Sequence, residues 1–194
     1  MDRPTFIVIA GVNGAGKTTL YTDNHELFAN THRINADEIL QNQNGDWHNN
    51  TDNLRSMREE LREIHDALAQ GTSIHMETTL AGNGYALKKI ITEAHANNYE
   101  VSLLYVTVSS PQVAIQRVKS RVAKGGHGIP EDLILKRYQQ SLANLPTFSK
   151  LVDNVKLYLN NQTFQLVYLR QNQIVSLDHL VLAPWLPQAQ TLLP

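Results

Sequence analysis

The chain has 194 residues, of which 42% are hydrophobic and 18% charged, a composition typical of a globular protein long enough to bury a core. Its net charge of −1 provides no basic field for nucleic acid, and the lack of cysteine excludes disulfides, thiolate metal sites and cysteine nucleophiles. No segment approaches the roughly 20 apolar residues of a membrane span or has the pattern of a signal peptide, so we expect a cytoplasmic protein with neither membrane nor nucleic acid as a partner.

The first predicted element is a strand at residues 5–10, TFIVIA, which runs directly into a glycine-rich loop. This loop, GVNGAGKT, matches the phosphate-binding pattern G-x-x-x-x-G-K-[ST] in full, and a helix predicted at 17–29 follows it. Glycines allow successive backbone N–H groups to surround a phosphate, and the start of the helix adds partial positive charge. Strand, loop and helix in this order predict a binding site for ATP or GTP with Mg²⁺.

The residues of the loop have distinct expected roles. Lys17 is expected to reach the β- and γ-phosphates, and the hydroxyl of Thr18 is expected to bind Mg²⁺. The other residues expected to bind the nucleotide are Gly11, Asn13, Gly14, Ala15, Gly16 and Thr19.

Motifs of other nucleotide-binding classes do not occur in the sequence. The strings D-x-x-G and N-K-x-D of GTPases are missing, as is the L-S-G-G-Q-like signature of transporter ATPases. The strand predicted at 101–108, VSLLYVTV, also lacks an acidic residue at its end. These absences favour a kinase-like protein, in which acidic residues on other strands and a mobile lid act on the phosphates.

A second strand is predicted at 32–36, HRINA, and Asp37 follows it directly. An acidic side chain beside the phosphate loop can accept the proton of an attacking hydroxyl, so Asp37 is the predicted catalytic base. The alternative is that Asp37 caps a helix beginning near Glu38, and the two roles are compatible. The polar segment 41–50, QNQNGDWHNN, is long enough to be a functional loop or simply a mobile one.

An amphipathic helix predicted at 52–70 leads to a third strand at 73–77, SIHME. Glu77 and Thr78 then lie at the carboxyl end of that strand, where open α/β sheets bind their ligands. Both are predicted to bind the substrate, with Glu77 contacting acceptor hydroxyls or organising water around Mg²⁺. A solvent-exposed glutamate at a strand end is the alternative.

The rest of the chain continues the alternation of helix and strand. Helices are predicted at 85–97, 111–123 and 131–145, a strand at 155–159, and a β hairpin in FQLVYLRQNQIVSL. This order predicts the α/β class: a P-loop kinase-like three-layer αβα sandwich with a mainly parallel sheet and a C-terminal β hairpin. No linker divides the chain, so residues 1–194 are predicted to form a single domain, although the proline-broken tail LAPWLPQAQTLLP has no predicted structure.

Residues 123–130 are predicted to form a hinged lid loop. The segment is rich in glycine, and basic side chains flank it: Arg117, Lys119, Arg121, Lys124, Lys136 and Arg137. Closure would bring Arg121 and Arg137 to the γ-phosphate, where charge develops in the transition state. A solvated basic helix face is the alternative, favoured for Lys119, and His127 either binds phosphate or has no role.

Five stretches together resemble the zeta-toxin family, most closely its short bacterial members: GVNGAGKTT, INAD, METT, RVAKGGHGIPEDLILKRY and VDN. The resemblance covers about residues 5 to 170. It implies a P-loop kinase that uses ATP and Mg²⁺, and the best-known members phosphorylate an amino-sugar hydroxyl of UDP-N-acetylglucosamine. It also implies an antitoxin protein as a candidate partner.

Functional residues of the family carry over by position. The strand-two aspartate of the family matches Asp37 as the base, and the acidic residue after its third strand matches Glu77. Its lid arginines match Arg137 and Arg121. Because the second match depends on where a glycine insertion falls, two neighbours are alternatives to Arg121, namely Arg117 and Lys124.

The chain also departs from the family pattern. It is shorter than the long toxins, and we expect it to lack much of their sugar-nucleotide-binding region. We also expect that no antitoxin segment precedes the phosphate loop. The predicted function is an ATP/Mg²⁺-dependent small-molecule kinase acting on UDP-N-acetylglucosamine or a related sugar nucleotide. The alternatives are a kinase for another metabolite or a nucleic-acid end, and a nucleotide-gated module that binds a protein partner.

Overall fold

The computed structural model describes residues 3–126 and 128–194. The strands in this part of the chain are Thr5–Ala10 (β1), His32–Ile34 (β2), Ile74–Thr78 (β3), Glu100–Thr107 (β4), Asn154–Asn160 (β5), Phe164–Gln171 (β6) and Ile174–Asp178 (β7). They form one sheet in the order β2-β3-β1-β4-β5-β6-β7. The first five strands run parallel, and β6 and β7 add the antiparallel C-terminal hairpin that the sequence predicts.

The α-helices of the described residues are Lys17–Asp23 (α1), Ala36–Asn42 (α2), Asn50–Gln70 (α3), Tyr85–Ala96 (α4), Pro111–Ala123 (α5) and Glu131–Leu151 (α6). Short 3₁₀ helices occupy His25–Phe28, Leu180–Leu182 and Ala189–Leu192. The parallel strands joined by helices confirm the predicted P-loop kinase-like α/β fold. None of the helices described here is long and apolar enough to cross a membrane.

Side chains along β1 alternate between two separate cores, because successive strand residues point to opposite faces of a sheet. Phe6 and Val8 belong to the core formed with α3, α4 and the second half of α6. Ile9 belongs to the core formed with α1, α5 and the first half of α6. A sheet covered on both faces explains why its central strands are nearly continuous apolar runs.

Helix α6 is longer than the sequence predicts. It continues to Leu151 although Pro146, directly after the predicted end of the helix, lies inside it. Proline removes one backbone N–H from the helical ladder. Leu145 and Phe148 are buried on either side of it, so packing on the sheet maintains the helix through this position.

Two boundaries near the N-terminus also differ from the prediction. Helix α1 ends at Asp23 rather than at residue 29, because Asn24 leaves the helical conformation and its side chain donates to the carbonyl of Leu20. Strand β2 ends at Ile34 rather than at residue 36, because Asn35 is the N-cap of α2 and Ala36 is its first residue, so the predicted strand included the start of a helix.

The tail after β7, which had no predicted structure, packs against the rest of the molecule. Its residues Ala183, Leu186 and Leu192 are buried. The indole N–H of Trp185 donates to the hydroxyl of Thr107 at 2.9 Å. Because Thr107 ends β4, this contact attaches the tail to the carboxyl edge of the sheet.

Candidate active site

The carboxyl ends of β1 and β3 open onto a cavity of about 770 Å³. Most of the predicted site residues line it: Asn13, Gly14, Gly16, Lys17, Thr18, Thr19, Asp37, Glu77, Thr78, Arg121 and Arg137. A second cavity of about 580 Å³ adjoins it, and Arg117 and Arg121 line both. The fold therefore brings together residues that are up to 124 positions apart in the sequence.

The loop between β1 and α1 is shaped by glycines with positive φ, namely Gly11 (138°), Gly14 (81°) and Gly16 (102°). A Cβ atom at any of these positions would overlap a neighbouring group. The group is the carbonyl oxygen of Val106 for Gly11, the carbonyl oxygen of Ala114 for Gly14, and the side-chain amide of Asn160 for Gly16. Other residues rarely adopt such φ values. Both the conformation and the lack of space therefore restrict these positions to glycine.

Lys17 begins α1 and folds back over the loop. Its Nζ donates to the carbonyl of Gly11 at 2.9 Å and lies 3.5 Å from that of Val12. Burial lowers the pKa of Lys17, and the carboxylates of Glu77 and Asp37 partly oppose this effect. A phosphate next to the ammonium would favour its charged form further.

Thr18 and Glu77 are in direct contact, since the Thr18 hydroxyl lies 3.2 and 3.3 Å from the two carboxylate oxygens. Glu77 Oε1 also accepts a hydrogen bond from Arg33 Nη2 at 2.9 Å, and Arg33 Nε pairs with Glu38 at 2.6 Å. The guanidinium of Arg33 lies 4.3 Å from the ring centroid of Tyr21. Only 11% of the Glu77 side chain is exposed, which excludes the solvent-exposed alternative.

Asp37 lies in the first turn of α2, at the exposed rim of the cavity. The N-cap of this helix is Asn35, whose Oδ1 accepts the backbone N–H groups of Asp37 at 2.9 Å and Glu38 at 3.3 Å. The alternative in which Asp37 caps the helix is therefore wrong. Its carboxylate is not used for capping and borders the cavity instead.

Glu60, on α3, is an acid of this cavity that sequence reasoning missed. Its Oε1 accepts the backbone N–H of Ala36 at 3.1 Å, which holds the carboxyl beside the start of α2. Burial, reinforced by the charges of Asp37, Glu63 and Glu77, raises the pKa of Glu60 to about 7. The group is therefore partly protonated near neutral pH.

Arg121 and Arg137 approach the cavity from the two helices that flank the predicted lid loop. Arg137, in the second turn of α6, donates to Oδ1 of Asn13 in the phosphate loop at 2.9 Å. Arg121 lies in the last turn of α5 and lines the same cavity. Within the predicted lid loop 123–130, His127 lies outside the described residues.

Arg117, an alternative to Arg121 as a lid arginine, contacts a different part of the site. Its guanidinium donates to the carbonyls of Ala15 at 3.4 Å, Asn160 at 3.1 Å and Asn161 at 2.6 Å. The side-chain amide of Asn160 also donates to the carbonyl of Ala15, at 2.8 Å. These bonds connect the phosphate loop, α5 and the end of β5, which indicates support of the loop rather than lid closure.

Thr78 supports the loop from the other side. Its carbonyl accepts the backbone N–H of Gly11 at 3.2 Å. Its hydroxyl accepts the N–H of Leu80 at 3.2 Å, in the turn after β3. Thr78 thus lines the cavity while its polar groups already bond to the backbone.

Comparison with protein families gives one match that covers most of the chain. Residues 1–173 match the family described as Zeta toxin. A protein of Haemophilus influenzae, described only as uncharacterized, is 31% identical over 132 residues, which is 68% of this chain and 91% of that protein.

Solved structures with a similar fold include one from a toxin–antitoxin system and a complex determined with ATP. The PezAT toxin–antitoxin system of Streptococcus pneumoniae gives a TM-score of 0.58 at 18% identity, over 84% of this chain and 71% of that chain. The AvrRxo1-ORF1:-ORF2 complex with ATP gives a TM-score of 0.68 at 15% identity, over 93% and 62% of the respective chains. At such identities the similarity concerns the fold.

Proposed function

Because the chain belongs to the zeta-toxin family, we propose that it is a kinase that transfers the γ-phosphate of ATP to a hydroxyl of a small-molecule acceptor. The observation that carries the proposal is that the phosphate loop, the carboxylate of Asp37 and the guanidinium of Arg137 border one cavity. A module that only bound nucleotide would need neither the acid nor the arginine.

The residues of the cavity fit a nucleoside triphosphate with Mg²⁺. The glycines of the loop allow phosphate oxygens to approach the backbone, and the ammonium of Lys17 lies over the same loop. Thr18 and Glu77 offer adjacent oxygen ligands of the kind that Mg²⁺ prefers. When bound, Mg²⁺ would neutralise charge on the β- and γ-phosphates.

We assign Thr18 to direct Mg²⁺ binding and Glu77 to the water molecules around the ion. The contact between their side chains supports this choice over a role of Glu77 in acceptor binding. Arg33 holds Glu77 in place from the neighbouring strand. The adjoining cavity is proposed to take the nucleobase, because Arg117, which lines it, also bonds to the carbonyl of Ala15 in the phosphate loop, whereas Asp37 does not line it.

In the reaction, Asp37 accepts the proton of the attacking acceptor hydroxyl. Lys17, Arg121 and Arg137 stabilise the negative charge on the transferred group, which spreads over its oxygens in the transition state. Arg137 is held toward the phosphate loop by its bond to Asn13, so this charge is available where the γ-phosphate would lie.

We propose a sugar nucleotide such as UDP-N-acetylglucosamine as the acceptor and an antitoxin protein as a partner. Membership in the zeta-toxin family supports the first. The similarity of the fold to the PezAT toxin–antitoxin system supports the second.

The test is transfer from γ-labelled ATP with Mg²⁺, using UDP-N-acetylglucosamine and, in parallel, a bacterial metabolite extract. Wild type is compared with Asp37→Ala and with Asp66→Asn, whose carboxylate is 60% exposed on α3 away from the cavity. Labelled sugar nucleotide that forms with wild type and Asp66→Asn but not with Asp37→Ala supports three assignments: phosphoryl transfer as the reaction, Asp37 as the base, and the sugar nucleotide as the acceptor.

Other outcomes have separate meanings. Label on a different component of the extract supports kinase activity but assigns a different acceptor. Undiminished transfer by Asp37→Ala contradicts the assignment of Asp37 as the base. Label found solely as free phosphate with all three proteins contradicts kinase activity and favours a nucleotide-gated module that binds a protein partner.

A further inference from the structure

The turn that follows β3, residues 79–84, contains a strained backbone position. Leu80 lies in the left-handed region, with a φ of 58°. Among the described residues, the other non-glycine positions with a positive φ are all asparagines, namely Asn44, Asn98 and Asn172. Asparagine tolerates this conformation, whereas leucine keeps it only where surrounding contacts compensate for the strain. The contacts of Leu80 therefore show what fixes the turn.

Side chains of helix α6 hold this turn. The side-chain amide of Asn144 donates to the carbonyls of Leu80 and Gly82, both at 2.9 Å. Gln140, one helical turn earlier, accepts the backbone N–H of Gly82 at 3.2 Å. Three hydrogen bonds thus attach the turn to α6, and Asn144 makes two of them.

The same helix also contacts the phosphate loop. Arg137 lies seven positions before Asn144, which is two helical turns or about 10 Å along the axis. Its guanidinium donates to Oδ1 of Asn13 at 2.9 Å. Because residues two turns apart lie on one side of a helix, α6 joins the phosphate loop to the turn after β3 through a single face.

The turn lies at the centre of the candidate active site. Strand β3 is placed between β2, after which Asp37 follows, and β1, which leads into the phosphate loop. Thr79, the first residue of the turn, lines the cavity. A shift of the turn would therefore move one wall of the cavity relative to both Asp37 and Arg137.

We propose that Asn144 is a positioning residue which, by holding the turn after β3, keeps the acceptor hydroxyl aligned with the γ-phosphate beside Arg137. Asn144 does not line the cavity, so it acts through the turn. The inference rests on the proposed kinase function and adds a residue on which that proposal does not depend. Water reaches the γ-phosphate without this alignment, so loss of the Asn144 amide shifts ATP cleavage from transfer toward hydrolysis.

The test measures the ratio of transferred phosphate to free phosphate, using γ-labelled ATP, Mg²⁺ and UDP-N-acetylglucosamine or the labelled fraction of the bacterial extract. Both products come from the same folded molecules, so the ratio does not depend on the fraction of active protein. Asn144→Ala is expected to lower the ratio at least about tenfold, because a small misplacement of a reacting group is costly. Gln139→Ala, at an exposed position of the same helix, should leave it unchanged.

Two variants of nearly unchanged size test the hydrogen bonds themselves. Asn144→Asp replaces the donating amide by a carboxylate oxygen that faces two carbonyls, and it is expected to lower the ratio at least as much as Asn144→Ala. Gln140→Glu keeps an oxygen that can accept from Gly82, and its ratio should stay close to that of wild type. If neither Asn144 variant folds, Gln140→Ala removes one bond to the turn and is expected to lower the ratio to a smaller extent.

Amide hydrogen exchange of residues 79–84 gives a measurement that does not need activity. Exchange in this segment should become faster in Asn144→Ala and Asn144→Asp and stay unchanged in Gln139→Ala. Unchanged exchange in both Asn144 variants would contradict the hold of α6 on the turn.

Two kinetic results would overturn the inference in distinguishable ways. Transfer and hydrolysis that fall together in the Asn144 variants, with the ratio preserved, would reduce Asn144 to a structural residue and leave the kinase in place. Release of label only as free phosphate by wild type would contradict the kinase itself and with it the inference.

Discussion

The hydroxyl of Thr18 lies 3.2 Å from Glu77 Oε1, so the end of the phosphate loop is joined to the end of β3. The same Oε1 accepts a hydrogen bond from Arg33 on β2. Side chains on β2, on β3 and at the start of the helix after β1 are thereby linked, and these three strands are neighbours in the sheet. This arrangement gives the predicted Mg²⁺ ligand a fixed neighbour. It also explains why a glutamate at a strand end is 89% covered by protein.

Glu77→Gln is expected to raise the Mg²⁺ concentration needed for half-maximal transfer by roughly tenfold, because a carboxylate that orders water around the ion is replaced by a neutral amide. A Mg²⁺ titration of transfer at saturating ATP measures the change. Glu38→Gln is the matched control, since Glu38 is the other partner of Arg33 and does not line the cavity. An unchanged Mg²⁺ requirement with a higher acceptor KM would instead assign Glu77 to acceptor binding.

Lys17→Met is expected to abolish transfer and to raise the melting temperature at pH 7 by about 2 °C or more. Burial lowers the pKa of Lys17, so the folded protein disfavours the ammonium relative to the unfolded chain. That cost is present below the lowered pKa and disappears as the pH rises through it toward the ordinary value of lysine, so the gain at pH 7 should shrink toward pH 10.

Thermal melts at pH 7 and pH 10 test this, with Lys136→Met as a control on an exposed position of α6. A lower melting temperature for Lys17→Met at pH 7 would contradict the expectation. It would mean that the bond from Lys17 to the carbonyl of Gly11 outweighs the cost of burying the charge.

Arg137→Ala is expected to lower kcat by roughly 10³-fold while ATP affinity changes far less, because an arginine at the transferred phosphate acts mainly in the transition state. Single-turnover transfer and a separate nucleotide-binding titration distinguish the two effects. Lys136→Ala, the neighbouring exposed residue on the same helix, should behave like wild type. Equal losses in both variants would indicate a general basic surface and not a specific role of Arg137.

Glu60→Gln is expected to gain stability relative to wild type as the pH rises. The carboxyl faces Asp37 on α2 and Glu77 on β3, with Glu63 on its own helix, and burial raises its pKa from 4.5 to about 7. The folded protein therefore holds a proton that the unfolded chain has lost, so wild-type stability falls between these pH values.

The difference in unfolding free energy between Glu60→Gln and wild type should thus grow by about 1–3 kcal/mol from pH 5 to pH 8. Urea unfolding at both pH values measures it, and Asp66→Asn should follow wild type. A difference that does not depend on pH would place the pKa of Glu60 near its ordinary value.

The elements of the fold and the site residues that could be predicted from the sequence are those specified by residues close to them along the chain. The strand, glycine loop and helix at the N-terminus depend on consecutive positions, and the spacing of Lys17 and Thr18 from the glycines identifies them. Helix α2 is predicted only within an alternative, as a helix beginning near Glu38, because seven residues are too few to establish a helical period and its first residue continues the predicted strand.

Arg33 and Glu60 could not be identified in this way, because their environment depends on contacts across the fold. Arg33 meets Glu77 across 44 residues, and Glu60 meets Ala36 across 24. Locally, Arg33 is an ordinary strand residue, and Glu60 is one of several charged residues on an amphipathic helix. Only the pairing of β2 with β3 and the packing of α3 beside α2 give them their environment.

The packing of the C-terminal tail determines how far the chain can be shortened at its C-terminus. The family match ends at residue 173, but the core includes Ala183, Leu186 and Leu192. A protein cut at the end of the match would lose β7, uncover apolar surface on α6 and β6, and leave the buried Thr107 hydroxyl without its indole donor. Expression of an intact protein therefore requires a C-terminal boundary beyond Leu192, and a C-terminal tag must follow that residue.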